Sequence, residues 1–173
     1  RRRRNSPFCM MTLLTKTGLR WIWLAMLAIV LDQITKLAIM QHIPYGHGVY
    51  VTSFFNLVHV YNLGAAFSFL AGAEGWQRWL FSGLAVVISG ILLVAMAKTP
   101  AKLSLTNVAY SLVIGGALGN LIDRIIYGHV VDFLDFHWQE VYRFATFNVA
   151  DMAITCGAAL IILDGFIKKP ADK

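Results

Sequence analysis

Two aspartates, Asp132 in HVVDF and Asp151 in FNVAD, could together carry out acid–base chemistry at a membrane surface. Each lies close to one end of a long apolar run, which predicts the same membrane level for both. Two close carboxylates do not readily ionise together, so one keeps a proton. Such a pair offers a base to activate water and an acid to protonate a leaving amine. From spacing alone, structural charges and proton or ion passage stay open as alternatives.

The surrounding stretch, Gly115–Asp151, is rich in acids for a segment that borders membrane runs. An ionised carboxylate in hydrocarbon costs roughly 2.5–3.5 kcal/mol, so acids here call for a reason. The stretch holds five of the chain's 9 acidic residues, namely Asp123, Asp132, Asp135, Glu140 and Asp151.

Polar residues at helical spacing accompany the two aspartates. Asn148 and Asp151 are three apart, so both can face the inside of a bundle. Asn120, Asp123 and Arg124 form one polar stripe at the end of a helix. Asp123 and Arg124 are adjacent and do not face each other, so Arg124 is better placed to serve another acid or to anchor a loop. Interfacial structural charge is the alternative for this stripe.

Three further polar residues are candidates for supporting roles. Asp32 and Lys36 are four apart in LDQITK and can pair on one helix face, which favours a structural ion pair. Lys36 could also extend to the interface. Asn62, in YNLGAAFSF, is either a contact to substrate or part of a tight turn under a hydrophobic cover.

A metal centre is the competing chemistry. His129 and His137 lie near Asp132 and Asp135, but the chain has no HExxH or other tight ligand spacing. It also lacks a GxSxG nucleophile motif. We therefore expect neither a metal nor another cofactor.

The elements that must position these residues are membrane helices. Hydrophobic residues make up 58% of the chain and charged residues 14%, against about 25% charged in soluble domains. Four apolar runs are each long enough to cross a hydrocarbon core of about 30 Å. We predict an all-α membrane protein with a single domain over residues 1–173, a basic segment at 1–17 and transmembrane helices at 19–40, 79–97, 105–126 and 147–167. Gly115 and Gly119, spaced as small-xxx-small, indicate close helix packing.

The basic residues predict the orientation. Four crossings put both termini on one side, and the positive-inside rule assigns that side to the cytoplasm. The bias remains without Arg1–Arg4, which we expect to be a processed or added start. The positions flank membrane runs, which argues against nucleic-acid binding. Eleven of the 15 basic residues fall on this side: Arg1, Arg2, Arg3, Arg4, Lys16, Arg20, Lys98, Lys102, Lys168, Lys169 and Lys173.

The segment 41–75 lies on the other side. Its part Val49–Tyr61 is rich in β-branched and aromatic residues, which predicts a small β-rich element between the first two helices. This segment could cover a bound substrate and limit the entry of water. Cys156 falls in the fourth run, where we expect a small buried residue.

Two other classes of function compete with a hydrolase. A proton- or cation-coupled transporter would use Asp32, Asp123 and Asp151, but it should place acids near the bilayer midplane in repeated halves. These acids cluster at one surface, and the chain shows no repeat. A purely structural membrane protein offers no reason for Asn148 and Asp151 on an inward helix face.

Five motifs, in this order and combined with four membrane runs, resemble the lipoprotein signal peptidases, or signal peptidase II. The resemblance covers roughly Trp21–Phe166. The motifs are LDQITK at 31–36, YNLGAAFSF at 61–69, GGALGNLIDR at 115–124, GHVVDFLDF at 128–136 and FNVADMAI at 147–154.

The resemblance implies an intramembrane aspartic endopeptidase of the bacterial inner membrane, with its active site near the periplasmic face. It implies cleavage of prolipoproteins just before a diacylglyceryl-modified cysteine, and inhibition by the cyclic peptide globomycin. Membrane lipid is then a further partner, and we expect a monomer. By motif, Asp132 and Asp151 match the catalytic dyad, and Asp32 and Lys36 match a structural pair. The family's supporting polar positions match Asn62, Asn120, Arg124 and Asn148.

Overall fold

The structure, a computed structural model, describes residues 7–64, 75–138 and 142–168. Within these residues, four helical spans are long and apolar enough to cross a membrane, which confirms the predicted fold class. Parts of the predicted cover 41–75, of the basic start and of the basic tail lie outside the described residues, as does Glu140. The helices are α1 (Pro7–Lys16), α2 (Ile22–His42), α3 (Trp76–Lys98), α4 (Leu105–Tyr127) and α5 (Val149–Lys168), with a 3-10 turn at Gly18–Trp21 before α2.

Helix α4 is capped at both ends, and the cap at its C-terminal end fixes where the segment that carries Asp132 begins. The Ser104 hydroxyl accepts the Asn107 amide hydrogen at 3.2 Å and caps the first turn. Gly128 ends the helix with a φ of 82°, a left-handed conformation that favours glycine. Arg78 of α3 donates to the carbonyl oxygens of Arg124 at 2.7 Å and Ile125 at 3.1 Å, which satisfies free carbonyls of the last turn.

A four-stranded antiparallel sheet covers one end of the bundle. Its strands, in spatial order, are β1 (Gly48–Thr52), β2 (Phe55–Asn62), β3 (Val130–Trp138) and β4 (Tyr142–Phe147). The first hairpin connects α2 to α3, as predicted. The second connects α4 to α5 and was not predicted, because β3 is buried along most of its length and lacks the alternation of a half-buried strand.

Helix α4 is the central helix and packs against α2, α3 and α5. Small residues allow this close approach, as the sequence predicted. A Cβ on Gly115 would lie 2.7 Å from the Ala28 Cβ, and a Cβ on Gly119 would lie 2.8 Å from Asp32 Oδ2. The expectation for Cys156 was wrong: its side chain is exposed on α5, on a helix whose surface is largely free for lipid.

Candidate active site

Strand β3 and helix α5 bring the two predicted aspartates to either side of one asparagine. Asp132, the third residue of β3, is 2% exposed, and Asp151, the third residue of α5, is 9% exposed. The side-chain Nδ2 of Asn148 donates to Asp132 Oδ1 at 2.8 Å, and the backbone amide of Asn148 donates to Asp151 Oδ2 at 3.3 Å. We call Asp132 and Asp151 the dyad.

The start of α5 orients Asp151 through reciprocal capping. Asn148 Oδ1 accepts the Asp151 amide hydrogen at 2.9 Å while the Asp151 carboxylate accepts the Asn148 amide hydrogen. This is the arrangement of a capping box, in which two residues three apart satisfy each other's free amides. The carboxylate therefore lies at a helix N-terminus, where the helix dipole favours negative charge.

The remaining two dyad oxygens also have donors. Asn120 Nδ2 donates to Asp151 Oδ1 at 2.9 Å, and Asn62 Nδ2 donates to Asp132 Oδ2 at 3.1 Å. Asn148 Nδ2 also donates to Asn120 Oδ1 at 3.1 Å, which links the two halves. Each of the four oxygens thus has a hydrogen-bond donor, and three asparagines supply them.

Asn62 takes part in a tight turn, one of the two roles that the sequence left open, and it also contacts the dyad. Its Oδ1 accepts the Gly64 amide hydrogen at 2.8 Å, which forms a tight turn. Its Nδ2 at the same time holds Asp132. The turn is therefore directly bonded to the dyad. The Arg124 guanidinium holds the end of the turn by donating to the carbonyl oxygen of Gly64 at 3.3 Å. Arg124 thus anchors a loop, one of the two roles expected for it.

A buried ion triad, Asp32, Lys36 and Asp123, lies beneath the dyad. Lys36 Nζ is 2.8 Å from Asp32 Oδ2, 2.8 Å from Asp123 Oδ2 and 3.0 Å from Asn120 Oδ1. The i,i+4 pair is confirmed. The expectation that Lys36 reaches the interface was wrong, because these three acceptors use all three ammonium hydrogens and leave Lys36 only 1% exposed.

The triad is bonded to the backbone of both dyad segments. Asp32 Oδ1 accepts the amide hydrogen of Ala150 at 2.8 Å, and Asp123 Oδ2 accepts that of Val131 at 3.0 Å. Ala150 and Val131 each directly precede an aspartate of the dyad. The sequence pattern did not identify Gln33 as part of this cluster. Its side-chain amide donates to Asp32 at 3.2 Å and to Asp123 at 2.9 Å. Its position next to Asp32 in the sequence was the one signal that could have indicated it.

The pKa of Asp132 differs from that of an exposed aspartate. Burial, together with the nearby charge of Asp151, raises the pKa of Asp132 to about 7. Hydrogen bonds from Asn62 and Asn148 act in the opposite direction, as does the charge of Lys36. A carboxyl with a pKa near neutrality can hold or release a proton under physiological conditions.

The histidines of the competing metal hypothesis are apart from one another. His129 stacks on Tyr61 at a centroid distance of 3.7 Å, and burial lowers its pKa. His137 Nδ1 lies 3.8 Å from Asp135 Oδ2. Within residues 7–64, 75–138 and 142–168, no three His, Cys, Asp or Glu side chains are grouped to hold a metal ion.

Comparison with known proteins identifies close relatives. Residues 24–167 match the family model of signal peptidase (SPase) II. The lipoprotein signal peptidase of Tolumonas auensis is 82% identical over 164 residues, covering 95% of this chain and 100% of that protein. The lipoprotein signal peptidase of Aeromonas hydrophila is 58% identical over 152 residues, covering 87% and 90%.

Solved structures show the same fold. A bacterial membrane enzyme, solved by the in meso method at 2.3 Å resolution, superposes with a TM-score of 0.77 at 33% identity. The match covers 89% of this chain and 92% of that one.

Proposed function

The chain belongs to the signal peptidase II family, membrane proteases that process prolipoproteins, and we propose that it is an aspartic endopeptidase with Asp132 and Asp151 as its catalytic residues. It removes the signal peptide from diacylglyceryl-modified prolipoproteins by cutting before the lipidated cysteine. The observation that carries this proposal is a pair of buried carboxylates joined by Asn148, one with a pKa near 7.

The pair carries out both proton transfers of peptide hydrolysis. The ionised carboxylate takes a proton from water as the water oxygen attacks the carbonyl carbon before the cysteine. The protonated carboxyl supplies a proton to the cysteine nitrogen as the peptide bond breaks. Asn62, Asn120 and Asn148 keep the carboxylates oriented, and no cofactor enters the reaction.

The sheet end of the bundle, with the dyad, faces the periplasm in this proposal, and both termini face the cytoplasm. The support is the positive-inside rule, because the α3–α4 connection at the opposite end carries Lys98 and Lys102. The protein then acts as a monomeric single domain of the inner membrane. Globomycin binds at the dyad in the same proposal.

A cation-coupled transporter is less well supported. Asp32 and Asp123 both pair with Lys36, so neither presents an unpaired carboxylate for a passing ion. Asp151 is likewise held on both oxygens.

The test is cleavage of a diacylglyceryl-cysteine prolipoprotein by the purified protein in detergent, with and without a chelator. We expect chelator-resistant cleavage that is lost in Asp132→Asn and in Asp151→Asn. Asp164→Asn, which removes a carboxylate from the opposite end of α5, is the matched control and should cleave normally. Loss of cleavage with chelator would instead favour a metal-dependent reaction. A folded wild-type protein without cleavage would refute the proposal, and proton flux in vesicles would then be measured.

A further inference from the structure

A cavity of about 350 Å³ lies on the sheet, and neither dyad residue lines it. Its floor comes from three neighbouring strands. Asn56 of β2 pairs with Asp135 of β3, and Asp135 pairs with Thr146 of β4. Directly paired residues of adjacent strands have their side chains on the same face, so these three form one polar row.

Asp135 is the unusual residue in this row. It is 2% exposed, and its Oδ1 has no hydrogen-bond partner among the described residues. His137 Nδ1 lies 3.8 Å from Oδ2, which exceeds hydrogen-bond length. A buried carboxylate oxygen without a donor costs free energy that a bound donor would recover.

The other buried aspartates show how exceptional this is. In the described part of the chain, both oxygens of each of the other four accept a hydrogen bond or an ion pair. They are Asp32, Asp123, Asp132 and Asp151. Asp135 therefore has an acceptor oxygen for which the described residues supply no donor.

The walls of the cavity define the chemistry of a matching group. Residues 41–64, which supply the walls from β1, β2 and the preceding loop, contain no Lys, Arg, Asp or Glu. Asp135 is thus the one formal charge among the described lining residues, while Val49, Val58 and Val60 add apolar surface. A cationic donor on an apolar stem fits this combination, as in a lysine side chain.

An extended polypeptide is a better source of that group than a lipid headgroup. A zwitterionic headgroup would bring a phosphate, and the lining residues offer it no Lys or Arg. Strand β1 also forms one edge of the sheet, with Val49 51% and Tyr50 73% exposed. The open edge of a strand can pair with a peptide in extended conformation.

We propose that this cavity binds the ammonium group of a lysine in the exported part of the substrate, with Asp135 as its acceptor. The inference rests on the proposed function, because that function supplies the substrate. Asp135 follows Asp132 by three residues along β3, so their Cα atoms lie about 10 Å apart. The substrate therefore reaches the cavity with residues well beyond the cleavage point.

The experiment measures KM and kcat for lipidated prolipoprotein peptides cleaved by the full-length protein in detergent. A single lysine is moved through about the first 12 residues after the cysteine, a reach of about 40 Å when extended. Each peptide is compared with one carrying norleucine at the same position. We expect lysine to lower KM at one or two positions by on the order of tenfold, the size of one charge-assisted hydrogen bond.

Two variants test the assignment. Asp135→Asn should bring the lysine-to-norleucine ratio of KM close to one. Val58→Phe should do the same by filling the cavity while keeping the carboxylate, which covers the case that Asp135→Asn folds poorly. Asp164→Asn, a matched carboxylate loss at the opposite end of the bundle, should keep the wild-type ratio.

Three outcomes would overturn the inference without affecting the proposed function. One is normal cleavage with no lysine preference at any position. Another is a preference that persists in both Asp135→Asn and Val58→Phe. The third is an Asp135-dependent gain from phosphatidylethanolamine in nanodiscs, without a lysine preference, which would assign the cavity to a lipid headgroup. Absence of cleavage of every peptide would instead refute the proposed function.

Discussion

The Lys36 ammonium lies 2.8 Å from the Asp123 carboxylate, and Asp123 in turn accepts the amide hydrogen of the residue before Asp132. Asp32, on the other side of Lys36, accepts the amide hydrogen of the residue before Asp151. One ammonium thus joins the two backbone segments that carry the dyad. The distance between the two dyad carboxylates should therefore depend on a charge that is bonded to neither of them.

Replacing Lys36 with methionine should therefore damage both stability and activity. Lys36→Met keeps the side-chain length but leaves two buried carboxylates without their cation. Removing one partner of a buried ion pair costs about 3–5 kcal/mol. We expect a large drop in the thermal unfolding midpoint in detergent, together with loss of prolipoprotein cleavage.

Lys168→Met is the control for this change. Lys168 is also paired with an aspartate, at 2.7 Å from Asp164, but its side chain is 61% exposed. Solvent screens such pairs, so its loss should change the unfolding midpoint far less. Equal effects of the two substitutions would show that Lys36 has no special role in the bundle.

The activity should fall as pH rises through about 7. With the pKa of Asp132 raised to about 7, the dyad holds one proton below neutrality and loses it above. The singly protonated pair is the form that provides both an acid and a base. The measurement is kcat against pH from 6 to 9, and its apparent pKa belongs to the pair. A flat profile over this range would contradict the assigned proton.

The same shift predicts how stability depends on pH. Between about pH 4 and 7 the folded protein binds a proton on Asp132 that the unfolded chain has lost. Stability therefore falls as pH rises across this window, by about 1.4 kcal/mol per pH unit. Asp132→Asn should flatten this slope in thermal unfolding, whereas Asp164→Asn should retain it. A slope unchanged in Asp132→Asn would place the titrating group elsewhere.

Asn148 should act on the dyad as well as on the helix that it caps. Asn148→Ala removes the cap of α5, worth about 1 kcal/mol, and the donor to Asp132. Asn148→Ser keeps a capping hydroxyl but loses that donor. Because the lost hydrogen bond lowers the pKa of Asp132, both variants should move the alkaline limb of the pH profile upward.

Comparing these two variants separates the roles. Serine should restore most of the unfolding midpoint lost in the alanine variant, without restoring the wild-type pH profile. If serine restores both, Asn148 is only a helix cap.

The sequence predicts the helices and the positions of the polar residues better than it predicts their bonds. Run length against bilayer thickness locates four spans, and i,i+4 spacing finds the pair of Asp32 and Lys36. That Asp123 completes the triad depends on how α2 packs against α4, which no local pattern encodes. Spacing likewise places Asn148 on the face of Asp151 but does not show that it reaches Asp132.

The second hairpin shows a different limit. Burial along β3 leaves the segment without the period-two pattern by which a strand is recognised. Its pairing to β2, including Val60 opposite Asp132, is a long-range contact. The position of Asp132 on a strand, and the cavity at Asp135, follow from that pairing.

Gly119 should be intolerant of even one added methyl group, because α4 approaches both α2 and α5 at this point. A Cβ there would lie 2.8 Å from Asp32 Oδ2 and 3.3 Å from the Ala150 Cβ. Asp32 holds the Ala150 amide, so relief of the clash must move the triad or the start of α5. Overpacking of this kind costs about 1–3 kcal/mol, and we expect Gly119→Ala to lower both the unfolding midpoint and kcat.

Gly83→Ala on α3 is the matched control, because a Cβ there meets nothing within 4 Å. The control should unfold at or slightly above the wild-type temperature, since alanine favours helix over glycine by up to about 1 kcal/mol. Equal midpoints and equal kcat for the two variants would mean that the bundle can widen at Gly119 without disturbing the dyad.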